Sequence, residues 1–89
     1  MRDYEWDPYK ADTNFQKHGI SFADAVSVFA DDYAITNEDD HPEEIRYLIM
    51  GKDARGRLLV VAFTFRGERI RIISARKATS QEAMAYEED

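Results

Sequence analysis

Apolar residues recur at helical spacing in the first third of this chain and gather into strand-like runs in its second half. Asp7-Pro8 opens the first element, because an aspartate caps orphan amides and proline suits the first helical position. The helix is expected from Pro8 to about His18, with Gly19 as its left-handed stop. Phe22, Ala25, Val26 and Phe29 keep helical spacing, and Ser21 with Asp24 forms a weaker capping box, so 22–30 is a second, core-facing helix. Tyr33 to Thr36 reads as a short strand, and the acidic run 38–44 as a solvated loop. Ile45 to Met50 is the next strand, with Gly51 and Gly56 bracketing a hairpin loop. Arg57 to Phe65 is apolar at odd and even positions alike, which marks a central strand buried on both sides. Arg66-Gly67 is a tight turn, and Glu68 to Arg76 is the last strand. Thr79 with Glu82 is a capping box that starts a closing helix to about Glu87.

The order ααββββα predicts an α+β fold. Two N-terminal helices precede a four-stranded antiparallel sheet, and a short C-terminal helix follows. The helices are expected on one face, leaving part of the other available. Eighty-nine residues form one domain, 1–89, with a single modest core. With 44% hydrophobic and 12% aromatic residues, the chain is a folded globule and not a disordered tail. There is no cysteine, hence no disulfide framework, thiolate metal site or cysteine nucleophile. The acidic, aromatic N-terminus does not read as a signal peptide, and no apolar run reaches the ~20 residues of a membrane helix. A reducing, cytoplasmic setting is expected.

Charge changes the picture. Residues 1–44 hold 3 basic and 12 acidic side chains, whereas residues 45–78 hold 9 basic and 2 acidic. The net charge is −6. A basic segment flanked by acid marks an anion-binding face, or else the acids pair with the bases inside the fold. The cations concentrate in residues 66–77, where five arginines and lysines are interleaved with isoleucines. Strict alternation sends Ile70, Ile72, Ser74 and Arg76 to the core face and Arg69, Arg71, Ile73 and Ala75 to the other. Arg76 then escapes the core edge by its length. Guanidinium groups fork onto phosphate oxygens and stay charged at any working pH, so Arg71 and Arg76 suit RNA binding and phosphorane stabilisation. Arg69 and Lys77 extend the same strand as RNA contacts. Pairing with acidic residues is the other reading of all four.

Lys17 and His18 stand in the last turn of the first helix. The helix dipole alone accounts for them there; the functional reading makes Lys17 an electrophile and His18 an acid or base. Arg46 can join the cation cluster, and its neighbour Tyr47 faces the other way. His41 sits among carboxylates but matches no metal-binding spacing, so no metal and no cofactor are expected. No helix carries the clustered basic residues that enter a major groove.

Together these residues bring in a resemblance. Trp6-Asp7-Pro8, Lys10, Asn14, Lys17-His18-Gly19, Phe22, Ala25, Phe29, Arg46, Gly51, Leu59-Val60-Val61, the run from Arg71 to Arg76, Ala78, Glu82 and Tyr86 resemble the BrnT toxins. That resemblance spans nearly the whole chain. It implies a type II toxin with a RelE-like fold that cleaves RNA without metal and inhibits translation. It implies a BrnA-like antitoxin that carries the DNA-binding part, so operator DNA is reached only through it, in a heterotetramer of two toxins and two antitoxins. It places functional cations at Arg46, Arg71 and Arg76, with Lys17 and His18 beside them. The acidity of this chain departs from the basic character usual in such toxins, and phosphate neutralisation matters for RNA binding. The competing expectation is a non-enzymatic binding module, or an inactive toxin, whose cationic strand docks an acidic partner.

Overall fold

A computed structural model of the chain describes residues 3–88. The order is β1 (Tyr4–Glu5), α1 (Pro8–His18), α2 (Phe22–Val26), a 3-10 turn (Ser27–Ala30), β2 (Ile35–Asp39), β3 (Arg46–Lys52), β4 (Leu58–Arg66), β5 (Arg69–Lys77) and α3 (Ser80–Glu87). The five strands lie in the order β1-β5-β4-β3-β2. Strands β2 to β5 pair antiparallel, and β1 runs parallel to β5 through Tyr4–Ile70 and Glu5–Arg71. The sheet is therefore five-stranded and mixed, not four-stranded and antiparallel. Two residues are too few to display alternation, so β1 is defined by long-range contacts. Tyr4 packs on Phe29 with ring centroids 5.3 Å apart, and Glu5 reaches Arg71 at 2.7 Å.

Local chemistry sets the helix ends as expected. Asp7 accepts the Tyr9 N–H at 3.0 Å, and the Gly19 N–H donates to the Phe15 carbonyl at 2.7 Å from a backbone with φ +72°. The second helix stays α-helical only to Val26. There the Ser27 hydroxyl donates back to the Asp24 carbonyl at 2.6 Å, a bond that competes with regular helix, and the chain tightens into 3-10 geometry. The Thr79–Glu82 capping box is complete, with both reciprocal bonds made.

Strand limits shift where side chains meet across the sheet. β2 begins two residues later than expected and runs into the acidic segment, where Asp39 pairs with Arg46. β3 extends through Gly51, which therefore lies in a strand and not in the loop. A Cβ at Gly51 would sit 3.0 Å from Ala34 Cβ and from Asp31 Oδ2, so a side chain is excluded by close approach. The loop that follows is organised by Asp53. Its fully buried carboxylate accepts the Arg55 and Arg57 N–H groups and the Arg57 guanidinium, which also bridges to Asp24 at 2.9 Å. Burial pushes the Asp53 pKa up, but the bonds from Arg57 outweigh it and hold the group below the usual carboxylate range.

α2 and the 3-10 turn cover one face of the sheet, while α1 packs along β5. Ile20, Phe22, Ala25 and Val28 bury against Ile49, Leu59, Val61, Phe63, Ile70, Ile72 and Ala75. Past the end of β1, the edge of β5 is completed by a side chain. Buried Asn14 donates to the Ala75 carbonyl at 2.9 Å and accepts the Ala75 N–H at 3.1 Å. α3 lies on the opposite face, so helices occupy both. Polar clasps hold it: Arg76 binds Glu82 through two guanidinium nitrogens at 2.8 and 3.0 Å, and the Tyr86 hydroxyl donates to Asp31 at 2.6 Å.

A β-bulge corrects the expected facing of the last strand. Ser74 pairs with Ala62 but Ile72 pairs with Phe63, leaving Ile73 as an extra residue. The parity of β5 changes there. Ala75 enters the core, and Arg76 joins Arg71 on the second face instead of lying opposite to it.

Candidate active site on the second face of the sheet

One row of side chains crosses all five strands on the second face. Asp39 of β2 pairs with Arg46 of β3, Thr64 of β4 pairs with Arg71 of β5, and Arg71 pairs with Glu5 of β1. Thr64 follows Phe63, the partner of Tyr47, so it continues the row from Arg46. Its hydroxyl donates to the Ile45 carbonyl at 2.6 Å and ties the two strand ends together. Over this row lies a polar cavity of about 340 Å³, lined by Lys10, His41, Glu43, Glu44, Arg46, Thr64, Arg66, Arg71 and Ile73. Four cations, Lys10, Arg46, Arg66 and Arg71, and two carboxylates, Glu43 and Glu44, line it, with Glu5 and Asp39 of the same row beside them.

The two central arginines are half-buried and held by carboxylates. Arg46 Nε donates to Glu44 at 2.6 Å, and Arg71 Nη1 donates to Glu5 at 2.7 Å. The Arg46 hydrogen bond lowers the pKa of Glu44, and the Arg71 hydrogen bond lowers that of Glu5. Both acids are ionised at neutral pH and orient the guanidinium planes. The remaining guanidinium donors are free to fork onto an anion. Among the described residues, Lys10 and Arg66 make no salt bridge, and the charge of Arg66 acts at longer range on Glu5 and Glu44.

A second cavity of about 370 Å³ opens between α1 and the bulge of β5. Lys10, Thr13, Asn14, Lys17, His18, Ile73 and Ser74 line it. Lys10 and Ile73 belong to both cavities, so the two adjoin there. The structure brings Arg46 and Arg71 together in the first cavity and places Lys17 and His18 in the second. Arg76 lines neither, being turned to α3. Its bond to Glu82 raises its own pKa and lowers that of Glu82 to about 2. Arg69 is well exposed, 3.6 Å from Glu5, and Lys77 is exposed at the far end of β5.

Sequence reasoning gave Lys10, Arg66 and Thr64 no role in this site. Lys10 entered only among the residues of the family resemblance, and Arg66 only as one of the five cations of 66–77 and as a turn residue. His41 forms part of the cavity wall, with Nδ1 accepting the Glu43 N–H at 3.3 Å. Among the described residues, no three His, Asp or Glu side chains cluster to hold a metal ion.

Residues 6–82 match the family described as "Ribonuclease toxin, BrnT, of type II toxin-antitoxin system". The chain belongs to the BrnT family. The crystal structure of the Brucella abortus ribonuclease toxin BrnT is similar, with a TM-score of 0.67 at 24% identity, covering 90% of this chain and 100% of that one. At that identity the likeness speaks to the fold. No curated protein matches. As a BrnT-family member the chain is a ribonuclease toxin of a type II system, which has an antitoxin as its partner. Among the described residues, no helix is long and apolar enough to cross a membrane.

Proposed function

We propose that this BrnT-family chain is a metal-independent endoribonuclease whose scissile phosphate sits in the arginine-lined cavity. The observation that carries this reading is the convergence of Lys10, Arg46, Arg66 and Arg71 on one polar hollow. In the proposed reaction the substrate 2′-oxygen forms a bond to phosphorus and the bond from phosphorus to the 5′-oxygen breaks. The products are a 2′,3′-cyclic phosphate and a 5′-hydroxyl. The 2′-hydroxyl loses its proton as it attacks, and the leaving 5′-oxygen gains one. Arg71 and Arg46 neutralise the charge that grows on the phosphorane. Lys10 and Arg66 hold the flanking phosphates, with Arg69 and Lys77 as outlying contacts. In the adjoining hollow Lys17 orients the strand, and His18 donates the proton to the leaving oxygen. Arg76 acts through its clasp on α3.

RNA cleavage by the purified chain in excess chelator tests this. Each oriented donor is worth about 2.7–4 kcal/mol, so Arg46→Ala and Arg71→Ala should each lower the rate ~10²–10³-fold. Unchanged cleavage by the double variant would sink the cation mechanism. The ion pairs Arg46–Glu44 and Arg71–Glu5 favour a second reading, an inactive toxin that retains its antitoxin surface. Absence of cleavage by the parent chain on naked RNA and on translating ribosomes would select it. The partner in either reading is a BrnA-like antitoxin, assembled two by two with the toxin in the cytoplasm and reaching operator DNA through its own DNA-binding part.

A further inference from the structure

The outer edge of β2 is open. Among the described residues, no strand pairs with it on the side away from β3. At alternate residues of Ile35–Asp39 the backbone N–H and C=O groups therefore point away from the sheet. A bare edge of this kind is a template for another strand. The opposite edge of the sheet differs, because β1 and the Asn14 side chain cover β5. Beside the open edge, between the sheet and α3, lies an apolar hollow of about 230 Å³. Ile35, Leu48, Met50 and Val60 supply its apolar wall, and α3 closes one side through Ala85. An apolar cavity of about 150 Å³ takes a benzene ring, so this one admits a leucine or phenylalanine side chain.

The edge also has a sign. Glu38, Asp39, Asp40, Glu43 and Glu44 lie on β2 and in the segment that leaves it. Of these, only Glu44 is in a salt bridge among the described residues. Two such edges brought together would set like charges opposite each other, and an RNA backbone would be repelled. A strand that carries lysine or arginine meets the opposite charge.

We infer that β2 is the docking edge for a basic, extended segment of the antitoxin, which adds to the sheet as a further strand and seats an apolar side chain in the hollow. Main-chain bonds along the edge supply affinity, and the hollow and the acids supply selectivity. The register states what the segment carries. Ile35, Asn37 and Asp39 share one face, and the first two line the hollow. The apolar side chain sits opposite Ile35 or Asn37. A lysine or arginine further along the same face meets Asp39, beside Arg46 of the cation-lined cavity. The inference rests on family membership for the existence of an antitoxin and adds the surface that receives it. It does not depend on the cleavage mechanism.

The test uses the full chain, alone and in complex with the antitoxin of its type II pair. Hydrogen exchange should slow at 35–39 by about 10-fold or more in the complex. Glu38→Lys combined with Asp40→Lys, both at exposed positions, should raise the Kd by about 10–100-fold at low salt and by less at high salt. Leu48→Asn makes the hollow polar and should raise it by about 10-fold. Exchange in the unmodified chain keeps the test decisive if a variant does not fold. Unchanged exchange at 35–39, or a Kd unmoved by both variants, overturns the docking edge while the antitoxin stands as a partner bound elsewhere. Protection of 35–39 in the free chain that grows with its concentration assigns the edge to a second copy and overturns the inference as well. If chain and antitoxin do not associate, the partner expected of the family fails and this inference fails with it.

Discussion

Asn14 offers a sharp test of how this fold closes its sheet. Its side chain is 8% exposed and makes three hydrogen bonds. Nδ2 donates to the carbonyls of Ala75 at 2.9 Å and Ile20 at 3.2 Å, and Oδ1 accepts the Ala75 N–H at 3.1 Å. It thus does the work of a strand where β1 has ended. Asn14→Ala strands one N–H and two carbonyls in a buried place. Each buried unsatisfied group costs about 1–3 kcal/mol, and some water entry into the vacated space puts the sum near the low end, about 3 kcal/mol. A domain of this size has about 4–13 kcal/mol in total, so the loss is a large share of it. The expected fall in Tm is about 12–24 °C. Urea unfolding at neutral pH measures the free-energy loss and a thermal scan the fall in Tm, both followed by far-UV circular dichroism. Lys17→Ala, at an exposed position on the same helix, is the control and should stay within about 0.5 kcal/mol of the parent. An Asn14→Ala chain as stable as that control would refute the reasoning, because it would mean that the edge of β5 is satisfied some other way.

Further outcomes follow from the same geometry. Glu82 has its carboxyl lowered to about 2 from an ordinary 4.5, chiefly by the Arg76 hydrogen bond. Its stabilising contribution is therefore complete above pH 4.5 and is lost as pH falls from there toward 2. The shift corresponds to at most about 3.4 kcal/mol, and solvent screening of this one-third-exposed pair reduces that to about 1–2 kcal/mol. Glu82→Gln should flatten the acid limb of a stability–pH curve by that amount, and an unchanged limb would show that the clasp on α3 carries no such energy. Gly51→Ala brings a methyl group to 3.0 Å from Ala34 Cβ and Asp31 Oδ2 and 3.1 Å from Val28 Cγ1. It should cost about 1–3 kcal/mol by urea unfolding, and a neutral result would mean that the 3-10 turn yields freely.

The charge pattern illustrates what could and could not be read from the chain. Both readings of the basic segment hold at once, at different residues. Arg57 is a structural ion, locked between Asp53 and Asp24, and Arg76 is turned to Glu82. Arg46 and Arg71 pair with acids yet still line an open cavity beside Lys10 and Arg66. Nothing in the spacing separates these cases, because the partners range from two residues away, as Glu44 is from Arg46, to 66 away, as Glu5 is from Arg71. The acidic flanks were legible as a bulk property, but which acid meets which base depended on the docking of β1 and α3.

Features whose causes are local were readable from the residues. Asp7-Pro8, Gly19 and the Thr79–Glu82 box delimit helices because their bonds close within a few residues. The run from Leu58 to Phe63, apolar at odd and even positions alike, had to be a central strand, since only burial on both sides accommodates it. The tertiary structure alone decided the rest. A two-residue β1 exists only because β5 offers it an edge and Phe29 a surface. The bulge at Ile73 changes the parity of β5, placing Arg76 on the face of Arg71 and Ala75 in the core. Lys10 and Arg66, far apart in the chain, meet at one cavity because the N-terminal helix lies along the edge of the sheet. Register, edges and facing are settled by contacts between distant segments, and local preference carries no record of them.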